Sequence, residues 1–147
     1  MRVGSTPGEA DDRALGRCAR AAWNGVSGVE YLELEDILQL VRHLGVGPVR
    51  DVGLLDSAVA RPRSSPFGED AYSSISLKTA ALLHSITNDH ALADGNKRLA
   101  WLATTVFLDL NGLAPDLSDG EGFDLVREIA STSLDVEAIA TKLRLSE

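Results

Sequence analysis

The sequence predicts an all-α protein, a compact bundle of six or seven helices forming one domain. Three observations carry that. Apolar residues recur at helical spacing in segment after segment, and helix start and stop residues frame those segments. Alternating Val/Ile/Thr/aromatic runs of strand length do not occur. The 147 residues amount to one domain, long enough to bury a core without staples. Hydrophobic residues at 44% and charged residues at 24% fit a globular chain. The lone cysteine, Cys18, excludes an intrachain disulfide and any cysteine-cluster zinc site.

Residues 1–12 are rich in Gly, Pro and Asp and read as extended or disordered. From Asp11 to about Gly25 a weak helix is expected, with Leu15, Cys18, Ala19, Ala22 and Val26 at helical spacing around Gly16. Residues 1–29 thus read as an N-terminal extension and residues 30–147 as the main domain. There, Leu34, Ile37, Leu38, Val41 and Leu44 share one helix face. Glu33, Glu35 and Asp36 load its first turn, and Arg42 and His43 its last, as the helix dipole favours; Gly45, Gly47 and Pro48 stop it. A short helix follows, N-capped by Asp51, carrying Leu54, Leu55, Ala58 and Val59 and ended by Pro62.

Residues 61–72, RPRSSPFGEDAY, read as a loop of a length that is often functional. A helix is expected from Ser73 to Asp89, lined by Ile75, Leu82, Leu83 and Ile86. His84 within it reads as a packed polar residue with no charged cluster beside it. Residues 96–111 give the strongest helix. Leu99, Leu102, Ala103, Val106, Phe107 and Leu110 form a broad stripe, and Ala100, Trp101 and Leu108 add another apolar side. Such a helix is central and nearly surrounded. Asn111-Gly112 closes it. A Ser118/Glu121 capping box opens a helix with Phe123, Val126, Ile129 and Ala130. The last helix is expected from near Ser133, carrying Val136, Ile139, Ala140 and Leu143.

A net charge of −8 suits nucleic acid poorly, because a binding surface must oppose phosphate. The longest apolar stretch, Leu99 to Leu108, is about half the length needed to span a bilayer. No apolar run follows Arg2, so no secretory leader is read, and the expected address is the cytoplasm. Neither a nucleic-acid nor a membrane partner is expected.

The chemistry concentrates in His90-Ala91-Leu92-Ala93-Asp94-Gly95-Asn96-Lys97-Arg98. A helix starting at Asn96 offers unpaired N–H groups and the positive end of a dipole. Gly95 clears the space in front of it. Lys97 and Arg98 add two cations where they oppose the dipole, a placement that favours anion binding over helix stability. Phosphate is the obvious anion. Asp94, at the mouth, is the kind of lone carboxylate that holds Mg²⁺ beside phosphates. His90, four residues earlier, can take a proton from a hydroxyl nucleophile near neutral pH. Singly, each residue has an ordinary reading as a cap, a turn or a solvated charge. Together they describe a phosphoryl- or nucleotidyl-transfer site.

The segment HALADGNKRLA, His90 to Ala100, resembles the signature of the Fic/Doc family, H-x-F-x-[DE]-[GA]-N-[GK]-R. Lys97 resembles its death-on-curing branch, toxins of toxin–antitoxin pairs. Arg50 to Pro62, RDVGLLDSAVARP, is similar to a segment common in that branch. The likeness covers about residues 31–144. It implies the family's compact helical bundle, with the motif in a loop before a buried central helix. It implies His90 as the base, Asp94 as the Mg²⁺ carboxylate, and Gly95, Asn96, Lys97 and Arg98 as the phosphate-binding set of a nucleoside triphosphate such as ATP. It further implies transfer of the γ-phosphate to a Ser/Thr hydroxyl of a translation factor such as elongation factor Tu, arresting growth, with a cognate antitoxin as partner. Members with Gly in place of Lys97 transfer AMP instead. The alternatives are such nucleotidyl transfer, or a decayed scaffold that only binds an antitoxin.

Several positions depart from the pattern. Leu92 replaces the usual Phe, a smaller anchor for the loop, and Ala91 the common Pro. No second arginine stands near Ala100 and Trp101, which argues against AMP transfer. Ser133 to Ala138 matches an inhibitory S-x-x-x-E-[GN] helix imperfectly and reads as an ordinary helix start, so regulation is expected from a separate antitoxin helix filling a groove. The resemblance also implies a nearby flap that aligns the target segment, and Phe67 and its neighbours read equally as that flap or as a plain surface loop.

Overall fold

The computed structural model describes residues 28–145. The helix expected from Asp11 to Gly25 lies outside the described residues. Within them are six α-helices: α1 (Leu34–Leu44), α2 (Val52–Ala60), α3 (Ile75–Asp89), α4 (Asn96–Leu110), α5 (Asp119–Ser131) and α6 (Val136–Leu143). No strand is formed among these residues, only an isolated antiparallel bridge between Val49 and Leu92. The all-α bundle is as expected.

Local chemistry sets the boundaries. Gly45 ends α1 in the left-handed region (φ 69°), and its N–H bonds back to the carbonyls of Arg42 and Val41. Asp51 caps α2 through the Leu54 N–H, and Ser74 caps α3 through the Leu77 N–H. Ser118 and Glu121 form the reciprocal capping box of α5. The last helix starts later than Ser133: Asp135 is its N-cap, accepting from the Ala138 N–H, because a carboxylate there satisfies an orphan donor.

α3 is the hub, packed against α2, α4, α5 and α6. The sequence singled out α4 as the surrounded helix, but α3 shares that place. Its buried residues run continuously from Lys78 to Leu83 and again from Ser85 to Thr87, so the burial covers more than one face. Small residues hid this, since Ala80, Ala81, Thr79 and Ser85 add little to a hydrophobic stripe yet let neighbours approach closely. Phe107, Leu99 and Leu110 of α4 and Leu82, Leu83 and Ile86 of α3 fill the space between, with Ile37 and Leu40 of α1 and Ile139 of α6 closing the core.

The segment expected as a loop contains two short 3-10 turns, Arg61–Arg63 and Pro66–Gly68. Polar anchors, one partly and one fully buried, hold it on α3. Arg61 Nε donates to the Tyr72 hydroxyl at 2.8 Å, and its Nη1 to Ser85 Oγ at 2.9 Å. Lys78, buried to 3% exposure, gives its ammonium to the Pro62 carbonyl at 3.3 Å and to Asp70 Oδ2 at 3.4 Å. A buried ammonium is tolerated only with such partners. Phe67 stands fully exposed at the tip with φ 58°.

Candidate active site

Between α3 and α4 the chain makes a rigid loop, and three devices fix it. First, its core residues are sunk: Ala91 and Leu92 are 3% and 1% exposed. Leu92 is thus a full anchor despite its smaller size, because the bundle closes on it. Second, the segment before α2 runs antiparallel behind the loop. Ala93 N–H donates to the Pro48 carbonyl at 2.9 Å, Arg50 N–H to the Ala91 carbonyl at 2.7 Å, and Gly47 N–H to the Asp94 carbonyl at 3.1 Å. Third, the Asn96 side chain ties back to Leu92, accepting from its N–H and donating to its carbonyl, both at 2.9 Å.

Asn96 was placed by the sequence in the phosphate-binding set. Its amide is engaged at both ends within the loop, so what it offers toward a ligand is its position at the start of α4. Gly95 just before it has φ 96°, and a Cβ there would come within 2.4 Å of Val46 Cβ. The glycine lets the α4 start sit directly on the chain behind it.

That start is open. Side chains cap the other five helices: Asp36 on α1, Asp51, Ser74, Ser118 and Asp135 on the rest. At α4 the N-cap is Gly95, no side chain bonds the first turn, and no acidic residue lies in it. The first N–H groups and the positive dipole end therefore face outward unsatisfied. Lys97 and Arg98 are exposed beside them. Neither forms an ion pair among the described residues. Their charge is available to a ligand.

His90 ends α3 in the left-handed conformation (φ 54°, ψ 47°), exposed, with its carbonyl held by Arg50 Nη2 at 3.2 Å. His90, Asp94, Gly95, Asn96, Lys97 and Arg98 line one hollow of about 260 Å³, together with Thr87 and Ala93. All six residues singled out by the sequence meet there. A larger, mostly apolar groove of about 550 Å³ runs along α4 past Trp101, Val106 and Leu117, but among the described residues its charged lining is two aspartates, Asp109 and Asp119, with no histidine and no cation to meet an anion. Chemistry, not size, selects the smaller hollow.

Asp94 is exposed on the lip of the hollow. No cluster of three metal-ligating side chains exists among the described residues. A cation held at Asp94 would thus take its other ligands from phosphate oxygens and water, the coordination Mg²⁺ favours. The residues present fit that ion.

Sequence reasoning missed three contributors. Val46 shapes the Gly95 turn, Arg50 fixes the His90 carbonyl, and Thr87 lines the hollow. Thr87 alone had a readable signal: it lies three residues before His90, one helical turn away on the same face. His84 also differs from expectation. It has charged company, with Arg61 Nη1 3.1 Å from its Nδ1. Partial burial, then the Arg61 charge, push its pKa down, while Asp89 acts the other way. Asp89, beside His90, is pushed up by burial, against the pull of Arg61, His84 and His90.

The fold is thus that of an all-α bundle that gathers an imidazole, a lone carboxylate and an uncapped, cation-flanked helix start around one hollow. The family model for the Fic/DOC family matches residues 31–108. The chain is 47% identical over 118 residues to the protein named Toxin Doc of Mycolicibacterium smegmatis, the match covering 78% of this chain and 91% of that protein. The chain belongs to the Fic/DOC family.

Proposed function

We propose that this protein is a Doc-type toxin that transfers the γ-phosphate of a nucleoside triphosphate to a Ser/Thr hydroxyl of a target protein. One observation carries the reading. An exposed imidazole, fixed at the end of α3, shares a hollow with the uncapped start of α4 and its two exposed cations. Family membership supports group transfer onto protein hydroxyls, and the name of the relative supports a toxin role countered by a cognate antitoxin.

Each residue has a part. The α4 N–H groups, Lys97 and Arg98 bind the phosphate chain and stabilise charge as it develops. His90 accepts the proton of the incoming hydroxyl as its oxygen bonds to the γ-phosphorus. The bond from that phosphorus to the bridging oxygen breaks, and the nucleoside diphosphate leaves. Asp94 holds Mg²⁺, which neutralises phosphate charge when bound. Lys97 supplies a point charge in space a smaller residue would leave open, which favours a nucleotide pose that presents the γ-phosphate. The resemblance makes a translation factor the expected target, and the cytoplasm the place of action. No helix among the described residues is long and apolar enough to cross a membrane.

The test is incubation with ATP labelled at either the α or the γ position, with Mg²⁺ and a bacterial lysate. Label transferred from γ alone, and lost in His90→Ala, is the expected result. Label from α would replace phosphotransfer with nucleotidyl transfer. No label from either position would remove the enzymatic reading.

A further inference from the structure

Among the described residues, one buried side-chain polar atom has no hydrogen-bond partner in the protein: the Thr87 hydroxyl. Thr87 is 1% exposed, sits in the last turns of α3, and is part of the wall of the His90 hollow. Buried hydroxyls are normally paired, because their desolvation is otherwise uncompensated.

The other described threonines show how easily a helical threonine solves this. Thr79, Thr104, Thr132 and Thr141 each donate to the carbonyl four residues back, at 2.7, 2.8, 2.7 and 3.1 Å. Thr105 donates three residues back, to Leu102, at 2.8 Å. Thr87 does neither. A buried donor that passes over its own helix, in the wall of a hollow rimmed by two cations and a helix start, is matched to a ligand rather than to the fold. The shortage of negative partners in that wall fixes the ligand's polarity. Among the described residues Asp94 is the one carboxylate lining the hollow, and it is exposed. An acceptor-only group from outside completes the set.

We propose that Thr87 is a ligand-binding residue of this site, its hydroxyl donating a hydrogen bond to an anionic phosphate oxygen of the bound nucleotide. The inference rests on the reading of the hollow as a nucleotide site and deepens it. A hydroxyl donor buried behind exposed cations discriminates where they cannot: Lys97 and Arg98 attract any anion, whereas Thr87 rewards only one that reaches the wall. The free protein carries the cost of the unmatched hydroxyl, and ligand binding removes it.

That gives the test a signature which a structural threonine would not produce. Thr87→Val keeps the shape and removes the hydroxyl; Thr87→Ser keeps the hydroxyl. Affinity for Mg·ATP, inorganic pyrophosphate and adenosine is measured by titration calorimetry on the full chain, with the melting temperature of each variant. Thr87→Val is expected to weaken Mg·ATP and pyrophosphate about ten- to hundredfold, the range of a hydrogen bond to a charged group. Adenosine affinity stays unchanged. The melting temperature stays level or rises by about 2–4 °C, since an unpaired buried donor is gone. Thr87→Ser restores the phosphate affinities.

Wild-type affinity for Mg·ATP in Thr87→Val, or a loss equal for adenosine and Mg·ATP, overturns the inference alone. So does a fall in melting temperature with binding intact, which would mark Thr87 as structural. If the wild type binds neither Mg·ATP nor pyrophosphate, the nucleotide reading falls and takes this inference with it.

Discussion

The Asn96 amide closes a four-residue ring on Leu92, taking that residue's N–H and returning a donor to its carbonyl, each at 2.9 Å. Leu92 is buried to 1% exposure, so both backbone groups would otherwise stand unpaired in the core. The pair turns a loop of small residues into a fixed platform between base and phosphate site. Asn96→Ala leaves both Leu92 groups unmatched and is expected to cost about 2–4 kcal/mol. Asn96→Asp can accept from the N–H but sets a charge against the carbonyl, so it does not rescue. Urea denaturation checks the cost, and hydrogen exchange at the Leu92 amide, rising sharply in Asn96→Ala and less in Asn96→Asp, checks its location.

His90 allows catalysis and structure to be separated, because its side chain is exposed while its backbone is special. His90→Ala and His90→Asn both remove the proton acceptor, and the proposed transfer is expected to fall by about 10²–10⁴-fold in each. They differ in stability. With φ at 54°, alanine pays a left-handed penalty of about 1 kcal/mol that asparagine largely avoids. Melting curves should therefore place Asn near wild type and Ala a few degrees below it. Retained transfer in His90→Asn would remove the base assignment.

How much of this was legible in the sequence divides by the kind of interaction. α1, α4 and the α5 capping box could be read because their signals are local: periodic Leu and Ile, and a Ser–Glu pair three residues apart. The six motif residues could be read because chemistry packed into nine consecutive positions has few alternatives. The antiparallel support from residues 47–51 could not, since it is made of backbone groups about forty residues from the loop and leaves no side-chain pattern. A separation of 23 residues likewise hid Arg61 from His84, and nothing in a sequence marks the Thr87 hydroxyl as unmatched.

The Arg61–His84 contact predicts a pH dependence. Arg61 Nη1 donates, so Nδ1 of His84 accepts and the ring is neutral. Burial and then the Arg61 charge depress the His84 pKa below 6.5 in the folded state. A depressed histidine contributes stability that is present above 6.5 and lost as pH falls through the folded value. Asp89 works in the opposite sense in a more acid window: its pKa is raised above 3.8, so its contribution is present below that value and lost as pH rises through the folded one. Between pH 7.5 and 5.5 the histidine governs. The wild-type melting temperature is expected to fall over that interval, and that of His84→Gln to fall less, since glutamine accepts from Arg61 without gaining a proton. Parallel curves would refute the linkage.

Gly122 of α5 lies directly against the Trp101 ring of α4. A Cβ at residue 122 would lie 2.2 Å from the indole ring. Alanine ordinarily improves a helix interior by about 1 kcal/mol over glycine. Here the collision decides the sign, because the ring is buried to 4% exposure and its Nε1 is held by Asp119 at 3.3 Å. Gly122→Ala is expected to destabilise by about 1–3 kcal/mol in urea denaturation. Adding Trp101→Phe removes the struck atoms, so the pair should be less destabilised than the two single changes sum to.

Gly95 poses the same problem at the site itself, with two costs that can be pulled apart. Its φ of 96° is a backbone state that L-residues rarely adopt, and a Cβ there would collide with Val46. Gly95→Ala therefore carries backbone strain of about 1–3 kcal/mol as well as the clash. The chain relieves the clash only by lifting the α4 start off residues 45–47, which breaks the Gly47 N–H bond to Asp94 and moves the lip of the hollow. Mg·ATP affinity should fall along with stability. Val46→Gly removes the three atoms nearest to a new Cβ, so in the double variant the clash is relieved and the strain remains. A double-mutant cycle is then expected to show favourable coupling of about 1–3 kcal/mol in denaturation, with Mg·ATP affinity recovering toward that of Val46→Gly alone. Additive losses would mean that Val46 does not shape the turn, and that the open start of α4 is held by backbone strain alone.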